Sequence, residues 1–533
     1  MRPINLQQWI LSLPRVEPYH SNTQAVDTHS VDSAWAAVSA STSCCEALAY
    51  HLGDKVVSVN STAYSQSIGS YWSLRNVEIH PGCVVLPSSA EDVSTAVKTL
   101  SLGSRVWNDQ CQFAIRGGGH TPFPGAATVE DGIVIDLKNL PASGLSADRK
   151  TITVSPSQKW DEVYEILDTH NLSTLGGRVA GVGVGGLITG CGISYFSPRY
   201  GFACDVVKEF EVVLGTGEIL TASSTQHADL WKALRGGSNN FGIVTKFTLG
   251  TFPQASFWGG QTFHTIDTRS DHFAAHEDLI AAYPFDPYVH FINTLLITNM
   301  TASWVLGNSL QYTKSSPSPV AYPHVLKPFT SLPQTPLFPG LPPNTLRIDN
   351  VTSFSREYAA QSAYKKRWTF ATISFGNSAT MMEIFFQITN ATIQPLINLP
   401  GFQLSLSYQP LPTALTSRHR AIDALGPVQT EGNMFMIHWA MAVDDEAKAH
   451  DDEIQECVKA VFGKAEKAAE ELGLKRDFLA LTYADAWQDV MGRRSAGTVR
   501  DMWKVSRKYD TLQVFQKLVK GGFKLPVESK AEM

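Results

Sequence analysis

The sequence predicts an α+β protein of two or more domains, and three observations support that prediction. The chain has 533 residues, more than a single hydrophobic core usually organises. Hydrophobic residues make up 43% and charged residues 17%, so the chain can bury large cores and is not disordered. Short strand patterns are mixed with helical ones and do not repeat as β-α-β units, which favours an α+β fold.

The predicted elements follow in chain order. Residues 1–75 have the pattern of a polar, helical lead-in, and the first buried strand is predicted at 83–87. Predicted next are strands at 113–116, 132–137 and 151–156, a helix at 161–170, a hairpin at 209–223 with its turn at 215–217, a helix at 227–234 and a strand at 241–252. Farther along, strands at 370–375 and 402–410 flank a helix at 378–389, and a charged helix covers 444–472. Residues 315–345, rich in Pro, Ser and Thr, are predicted to form an irregular connection or a lid.

Charge and hydropathy argue against two classes of partner. The formal net charge of −6 disfavours a nucleic-acid binder, which would show a basic face. The most apolar uncharged run, residues 179–197, contains six glycines, a density that suits backbone turns better than a membrane helix. We therefore expect neither a nucleic-acid nor a membrane partner, and we expect a monomer.

Features of the sequence point both for and against secretion of the protein. The first ten residues lack the apolar core of a secretory signal peptide. Five sequons could nevertheless carry glycans, at Asn60, Asn171, Asn299, Asn350 and Asn390. No C-x-x-C pair occurs among the seven cysteines, so no metal site is expected. If the protein is secreted, Cys83 is expected to pair with Cys44 or Cys45, with the remaining cysteines dispersed.

A glycine turn follows the strand predicted at 113–116. Its sequence is Arg116-Gly117-Gly118-Gly119-His120, and chains keep successive glycines where the backbone takes positive φ or approaches a ligand closely. Successive N–H groups in such a turn form a concavity that suits a pyrophosphate. A purely structural glycine turn, followed by a structural histidine, is the alternative.

A second glycine cluster covers residues 176–186 and continues to Gly190 and Gly192. It lacks the G-x-G-x-x-G spacing between a strand and a helix, so a Rossmann site fits poorly. Its apolar character suits a flat aromatic ring system lying against backbone. A glycine-rich packing segment is the alternative explanation.

Five motifs in order resemble a known family. RGGGH (116–120), GVGVGGLITGCGIS (181–194), SPRYGFACD (197–205) and DLWKALRGGSNNFGIVT (229–245) are similar to the FAD-binding domain of the vanillyl-alcohol-oxidase type. The ending KYDTLQVFQKLVKGGFK (508–524) is similar to the C-terminal segment of the berberine-bridge-enzyme-like branch. The resemblance covers roughly residues 75–255 and 475–525. Residues 256–475 match the family only in their general pattern of residues.

The resemblance implies a two-part FAD-binding domain with an α+β substrate domain over the flavin. Its parts would be a lead-in at 1–75, the FAD-binding domain at 76–255, the substrate-binding domain at 256–475 and a C-terminal segment at 476–533 that returns to the FAD domain. The implied FAD-binding residues are Arg116, Gly117, Gly118, Gly119, His120, Thr121, Val182, Gly183, Gly185, Gly186, Gly190, Gly192, Ile243 and Val244.

The resemblance also implies how the flavin is attached. His120 matches the histidine that bonds to the flavin 8α-methyl group. Many relatives add a second bond through a cysteine at C-x-x-V-G-x-G-G, and here that position is Val179. Cys191 is offset and replaces a glycine of the usual G-G-G, so the resemblance implies a single 8α-histidyl covalent link.

The candidate catalytic residue is Tyr483. The family's base often lies in a Y-x-N-Y-A-D-like strand, and the matching run here is ALTYAD, residues 480–485. The first tyrosine and the asparagine of that pattern are absent, so a structural or flavin-contacting role for Tyr483 is the alternative. A tyrosine acts as a base only where its neighbours depress its pKa.

The implied function is oxidation of a small organic molecule, a secondary metabolite. A hydride would pass to flavin N5, and molecular oxygen would reoxidise the flavin. Val182 matches a position beside the flavin where valine implies an oxidase and leucine implies slow reaction with oxygen. The alternatives are a carbohydrate oxidase, against which Val179 weighs, and a non-redox cyclase or binding protein with a structural flavin.

Overall fold

The computed structural model describes residues 28–141, 144–299, 303–315, 323–337, 340–360, 364–419 and 423–527. Its helices are α1 Thr28–Ala40, α2 Cys44–Leu52, α3 Thr62–Ile68, α4 Leu74–Val77, α5 Ala90–Trp107, α6 Trp160–Asp168, α7 Val184–Thr189, α8 Ser197–Tyr200, α9 Ala228–Leu234, α10 Arg269–Ala281, α11 Lys327–Thr330, α12 Val351–Ala359, α13 Ala379–Thr392, α14 Thr413–Thr416, α15 Asp451–Glu471, α16 Ala496–Tyr509 and α17 Val514–Lys517. Its strands are β1 Val56–Ser58, β2 Cys83–Val85, β3 Phe113–Arg116, β4 Ile133–Asp136, β5 Gly144–Leu145, β6 Thr151–Val154, β7 Leu172–Ser173, β8 Val207–Val213, β9 Ile219–Ser223, β10 Ile243–Gly250, β11 Phe252–Pro253, β12 Phe257–Thr265, β13 Val289–Thr298, β14 Val305–Tyr312, β15 Arg347–Asp349, β16 Arg367–Gly376, β17 Gln403–Leu411 and β18 Met434–Val443.

The first glycine turn is positioned by a four-stranded sheet in the order β1-β2-β4-β3. β2 and β3 each pair in parallel with β4, and both faces of β2 and β4 are buried. Such continuous apolar runs are typical of parallel strands covered on both sides. Helix α5 packs Val93, Val97 and Leu100 into the same core as Val85. Because β3 ends at Arg116, the chain enters the glycine turn directly from this core.

A five-stranded antiparallel sheet, β5-β6-β10-β8-β9, carries the next part of the chain. The predicted hairpin is confirmed as β8 and β9, joined through 214–218. Its core contains Phe210 and Phe247, together with Trp160 from α6. A Cβ on Gly176 or Gly177 would lie within 2.1 or 2.6 Å of the Trp160 ring, so this first part of the second glycine cluster is a packing segment.

A seven-stranded antiparallel sheet, β15-β12-β14-β13-β17-β18-β16, forms the third layer. One face packs on α10, α13 and α15 through residues such as Leu406, Trp439, Phe385 and Phe462. The sheets and helices together confirm the predicted α+β fold. In the Pro-rich region 315–345, the structure has only a short helical segment over His324–Thr330; residues 316–322 and 338–339 lie outside the described part.

Three disulfides join six of the seven cysteines: Cys45–Cys83, Cys44–Cys111 and Cys191–Cys204. The pairing of Cys83 with one of the two adjacent cysteines is therefore confirmed, as Cys45. The expectation that Cys111, Cys191 and Cys204 stay dispersed is wrong, because α5 brings Cys111 back to α2 and the chain turns from 191 to 204 around α8.

A buried charge cluster ties the segment after α8 to the segment after α14. His419 lies between two carboxylates, with Nδ1 at 2.8 Å from Asp205 and Nε2 at 3.0 Å from Asp423. The Arg235 guanidinium contacts both carboxylates as well. Because the two carboxylates favour the imidazolium, the pKa of His419 rises to about 9 despite its burial.

Within the ranges that the structure describes, no helix has both the length and the apolar character that a bilayer crossing requires. The first ten residues, which lack the apolar core of a secretory signal peptide, lie outside the described part.

Candidate active site

A cavity of about 550 Å³ lies where the two glycine segments face the seven-stranded sheet. Twelve of the residues predicted from the sequence line it: Gly117, Gly118, Gly119, His120, Thr121, Val182, Gly183, Gly185, Gly186, Ile243, Val244 and Tyr483. Val179, at the position of the second flavin-linking cysteine, lines it too. The structure thus brings residues from both glycine segments, β10 and the C-terminal region to one place.

The two glycine segments touch through their backbones. A Cβ on Gly118 would lie 2.5 Å from the Gly183 Cα, and the reverse contact has the same length. Gly119 adopts φ +66, which L side chains rarely take. Lys159 closes the contact by donating from Nζ to the Gly118 carbonyl at 2.7 Å. Only glycine at both 118 and 183 allows this approach.

The first glycine turn keeps hydrogen-bond donors available. Within the described chain, the backbone N–H groups of Gly117, Gly118 and Gly119 donate to no other atom. Buried N–H groups are almost always paired, so successive unpaired ones beside a cavity favour an anionic ligand such as a pyrophosphate. The Lys159 ammonium adds positive charge at the same turn.

His120 is held by aromatic stacking. The Trp72 ring stacks on His120 with ring centroids 4.2 Å apart, and on Trp368 with centroids 4.6 Å apart. Burial, assisted by the Lys159 ammonium, lowers the pKa of His120 to about 3. The imidazole is therefore uncharged at neutral pH, so one of its ring nitrogens carries a lone pair.

Three predicted residues lie outside the main cavity wall. Arg116 is buried below the turn, where it donates to Ser70 Oγ at 2.8 Å, pairs with Asp136 at 3.6 Å and stacks over Tyr71. It also borders a smaller adjoining cavity of about 300 Å³. Its long side chain thus fixes the turn from behind.

Gly190 and Gly192 serve close packing. A Cβ on Gly190 would lie 2.9 Å from Thr482, and one on Gly192 would lie 2.7 Å from Leu187. Gly190 lets the end of α7 approach the segment that carries Tyr483, and Gly192 lets the chain fold back against Leu187 of α7. Neither residue reaches the cavity wall.

Arg178 is a functional candidate that the motif analysis missed. The side chain is only 6% exposed and lines the cavity. Its Nη1 lies 2.9 Å from His290 Nε2, and its Nη2 donates to Gln409 at 2.6 Å and to the Tyr483 hydroxyl oxygen at 2.7 Å. Arg178 therefore joins the second glycine segment, β13, β17 and the predicted catalytic residue.

The hydrogen-bond chain fixes His290 in a neutral form. The Gln311 amide donates from Nε2 to Ser309 Oγ at 2.9 Å, which leaves its Oε1 to accept from His290 Nδ1 at 2.8 Å. His290 Nε2 then accepts from Arg178. Burial and the Arg178 charge lower the pKa of His290 to about 3, so this partner brings no charge.

Tyr483 is flanked by a second neutral histidine. Its ring stacks on His438 with centroids 4.1 Å apart. Burial, with contributions from Arg178 and His120, lowers the pKa of His438 to about 3. His438 Nε2 has no hydrogen-bond partner in the described chain, so it is an additional acceptor or donor beside the cavity. Sequence position alone gave no sign of either contact.

The sheet wall of the cavity is more polar than the sequence suggested. The middle segment of the sequence is rich in Phe, Leu and Pro. The structure places many of those apolar side chains on the opposite face, against the helices. The cavity face instead presents hydroxyls and amides: Thr294, Thr298, Ser309, Gln403, Ser405, Ser407 and Gln409. The alternation of polar and apolar residues in β17 was the available signal.

These features fit FAD. The unpaired N–H groups suit the pyrophosphate, the neutral His120 suits a bond to the flavin, and Gly186 faces open space where a Cβ would meet nothing within 4 Å. A glycine there keeps the wall flat enough for a ring system to lie against it.

Comparison with known proteins gives the same result. Residues 81–223 match the family model of an FAD-binding domain. The FAD-dependent monooxygenase CTB5 of Cercospora beticola is 56% identical over 527 residues, covering 99% of this chain and all of the relative.

Two solved structures share the fold at low identity. One is 6-hydroxy-D-nicotine oxidase from Arthrobacter nicotinovorans, with a TM-score of 0.69, 16% identity and coverage of 90% of this chain and 98% of that one. The other is BBE-like 1 of Physcomitrella patens, with a TM-score of 0.69, 15% identity and coverage of 92% and 100%.

The match in sequence extends over 99% of the chain, and the match in fold extends over 92% of it. The predicted resemblance is thereby confirmed. The chain belongs to the same family of FAD-linked oxidoreductases as CTB5, and it shares its fold with the berberine-bridge-enzyme-like proteins.

Proposed function

We propose that the chain is an FAD-dependent oxidase of a small secondary metabolite. The observation that supports this most is the single cavity, in which the N–H groups of the glycine turn, a neutral histidine and the Arg178–Tyr483 pair face one space. Bound FAD would accept a hydride from a substrate carbon at flavin N5, and molecular oxygen would reoxidise it to give hydrogen peroxide. The proposed partners are the substrate and oxygen, and the proposed state is a monomer.

The flavin is proposed to be attached once, through an 8α-histidyl bond. The neutral imidazole of His120 keeps a lone pair for that bond, and stacking on Trp72 holds the ring in one orientation. Val179 lines the cavity at the position where relatives carry a second linking cysteine, and a valine cannot form that bond. A bicovalent flavin, which the carbohydrate-oxidase alternative favours, is therefore not proposed.

Tyr483 is proposed to accept the substrate proton. Its oxygen already accepts a hydrogen bond from Arg178 at 2.7 Å, so the hydroxyl hydrogen has to point elsewhere. The hydroxyl would take the proton of a substrate O–H or N–H while it passes its own proton to solvent, so the phenol stays neutral as the hydride leaves. The Arg178 guanidinium would balance the negative charge that develops on the substrate oxygen. The sheet hydroxyls of Thr294 and Ser407 would orient the rest of the substrate.

The test is anaerobic flavin reduction by a panel of phenolic, polyketide and sugar substrates. A substrate that bleaches the flavin and then yields peroxide in air supports the oxidase. Tyr483→Phe is expected to slow bleaching by about 10²- to 10⁴-fold, the usual contribution of a general base, with flavin content unchanged. Tyr312→Phe is the control, because the Tyr312 hydroxyl bonds to Asp286 and the residue lies outside the cavity wall. No bleaching with any member of the panel would favour the non-redox alternative.

Monooxygenation is a second candidate, because the relative CTB5 is named an FAD-dependent monooxygenase. The two reactions differ in where the oxygen atoms go. An oxidase returns both atoms of O₂ as hydrogen peroxide, whereas a monooxygenase places one in the product and one in water, with two electrons supplied by the substrate or by a nicotinamide donor. Turnover under ¹⁸O₂ with mass analysis of the product separates them. One labelled oxygen per product, with no peroxide, would replace the oxidase proposal.

A further inference from the structure

Arg178 is a buried cation whose partners within the chain are all neutral. It is 6% exposed, and its hydrogen bonds go to a neutral imidazole, an amide and a phenol. In the described part of the chain, no carboxylate forms an ion pair with it. The other arginines that are exposed by 8% or less all pair with carboxylates: Arg75 and Arg367 with Asp451, Arg116 with Asp136, and Arg235 with Asp205 and Asp423.

An uncompensated buried charge is costly. Removing an ion from water carries a penalty of several kcal/mol, which proteins usually offset by pairing it with an opposite charge. The described chain supplies neutral hydrogen-bond acceptors at Arg178 but no negative charge. The position of Arg178 in the cavity wall means that a bound molecule can supply the missing charge.

The guanidinium also keeps donors for a ligand. Arginine has five N–H donors, and three are used here, one by His290, one by Gln409 and one by Tyr483. The remaining two, on Nη1 and Nε, donate to no atom of the described chain. Its planar fork matches the geometry of a carboxylate or another delocalised oxyanion.

We propose that Arg178 binds a negatively charged oxygen of the substrate, so that the enzyme selects substrates that carry a carboxylate or an ionised phenol. This inference rests on the proposed function and narrows its substrate class. The oxyanion lies against Arg178, next to Tyr483, and the hydroxyls and amides of β13 and β17 receive the other oxygens of the molecule. Neutral sugars, which bring no such charge, leave the cation uncompensated.

The experiment measures binding to the holoenzyme in its oxidised state by calorimetry, so that no turnover is needed. One pair of probes is benzoate and benzamide, which share shape and differ in charge. The second pair is 4-nitrophenolate and 4-nitroanisole. We expect the anion to bind about tenfold or more tightly than its neutral partner, from the strength of a charged hydrogen bond. If only benzoate is preferred over its neutral partner, the site selects carboxylates. If only 4-nitrophenolate is preferred, it selects ionised phenols. If both anions are preferred, the site binds either oxyanion.

Arg178→Met is expected to bring the two affinities within about twofold of each other. Arg356→Met is the matched control, because that arginine is half exposed, lies outside the cavity and should leave the preference intact. Arg178→Lys keeps the charge without the fork and should retain part of the preference. It remains informative if the methionine variant does not fold.

Three results would overturn the inference. The first is equal binding of both members in both pairs by the unmodified protein. The second is a preference that survives in Arg178→Met. The third is a shift of the flavin reduction potential in that variant with an unchanged probe preference, which would assign the cation to the flavin. The proposed function fails separately, if no substrate reduces the flavin even though anions bind preferentially.

Discussion

Replacing Gly118 with alanine tests the contact between the two glycine segments most directly. The new Cβ would lie 2.5 Å from the Gly183 Cα and 2.7 Å from its nitrogen. Both are backbone atoms, so no rotamer change relieves the overlap and the segments have to separate. Overpacking of this kind costs about 1–3 kcal/mol. Gly118 does not adopt a positive φ, so backbone strain adds nothing to that figure.

The assay is thermal unfolding of the purified protein together with measurement of its FAD content. We expect Gly118→Ala to unfold at lower temperature and to retain little flavin, because the pyrophosphate donors of residues 117–119 move with the turn. Gly183→Ala should behave alike, since it creates the same contact from the other side. The two effects should not add, because the first substitution already separates the segments.

Gly463→Ala is the control. This glycine lies within α15, a Cβ there would meet nothing within 4 Å, and alanine favours a helix by about 1 kcal/mol. It should leave flavin content unchanged and stabilise the protein slightly. Unaltered stability and flavin content in Gly118→Ala would show that the two segments do not touch as described, and the account of the cofactor site would have to be abandoned.

Three further predictions concern attachment, oxygen and pH. Acid-denatured protein should keep its yellow colour, and His120→Ala should release it; colour lost from the unmodified protein would contradict the covalent link. Val182→Leu should slow reoxidation in stopped-flow mixing while leaving flavin reduction mostly intact, because the extra methylene fills apolar space beside the ring; equal rates would remove the oxygen-gate hypothesis. The raised pKa of His419 means that its contribution, at most about 3 kcal/mol, is fully present below pH 6.5 and is lost as pH rises through about 9. Melting temperatures of the protein and of His419→Asn should therefore converge above pH 9, and a constant difference from pH 6 to 10 would refute the linkage.

The glycine segments were predictable because their composition is itself the signal. Three glycines before His120, and Gly183, Gly185 and Gly186 farther on, are the residues that line the cavity. The same signal also predicted cofactor contacts for Gly190 and Gly192, which instead serve close packing. Packing and ligand contact both need a missing side chain, and only the fold shows which applies.

No local sequence pattern indicated the contacts that Arg178 makes in the cavity wall. Arg178 meets His290, Gln409 and Tyr483 across 112, 231 and 305 residues, respectively. No spacing rule operates at such distances, because the contacts depend on how the seven-stranded sheet docks over the glycine segments. Cys111 is a similar case, since its pairing with Cys44 depends on the packing of α5 against α2.

The neighbouring cysteines of α2 have a consequence for how the protein behaves in different surroundings. Cys44 is bonded to Cys111 and Cys45 to Cys83, so one turn of helix is fastened at two points, to β2 and to the segment before β3. In the loop-entropy model, closing loops of 67 and 38 residues stabilises a chain by about 4 kcal/mol each. Two successive anchors also prevent the helix from rotating about its axis. Protein made in a reducing cytosol would lack both disulfides. Whether a preparation was made under oxidising or reducing conditions therefore decides how firmly α1 and α2 are held against the sheet that carries the first glycine turn.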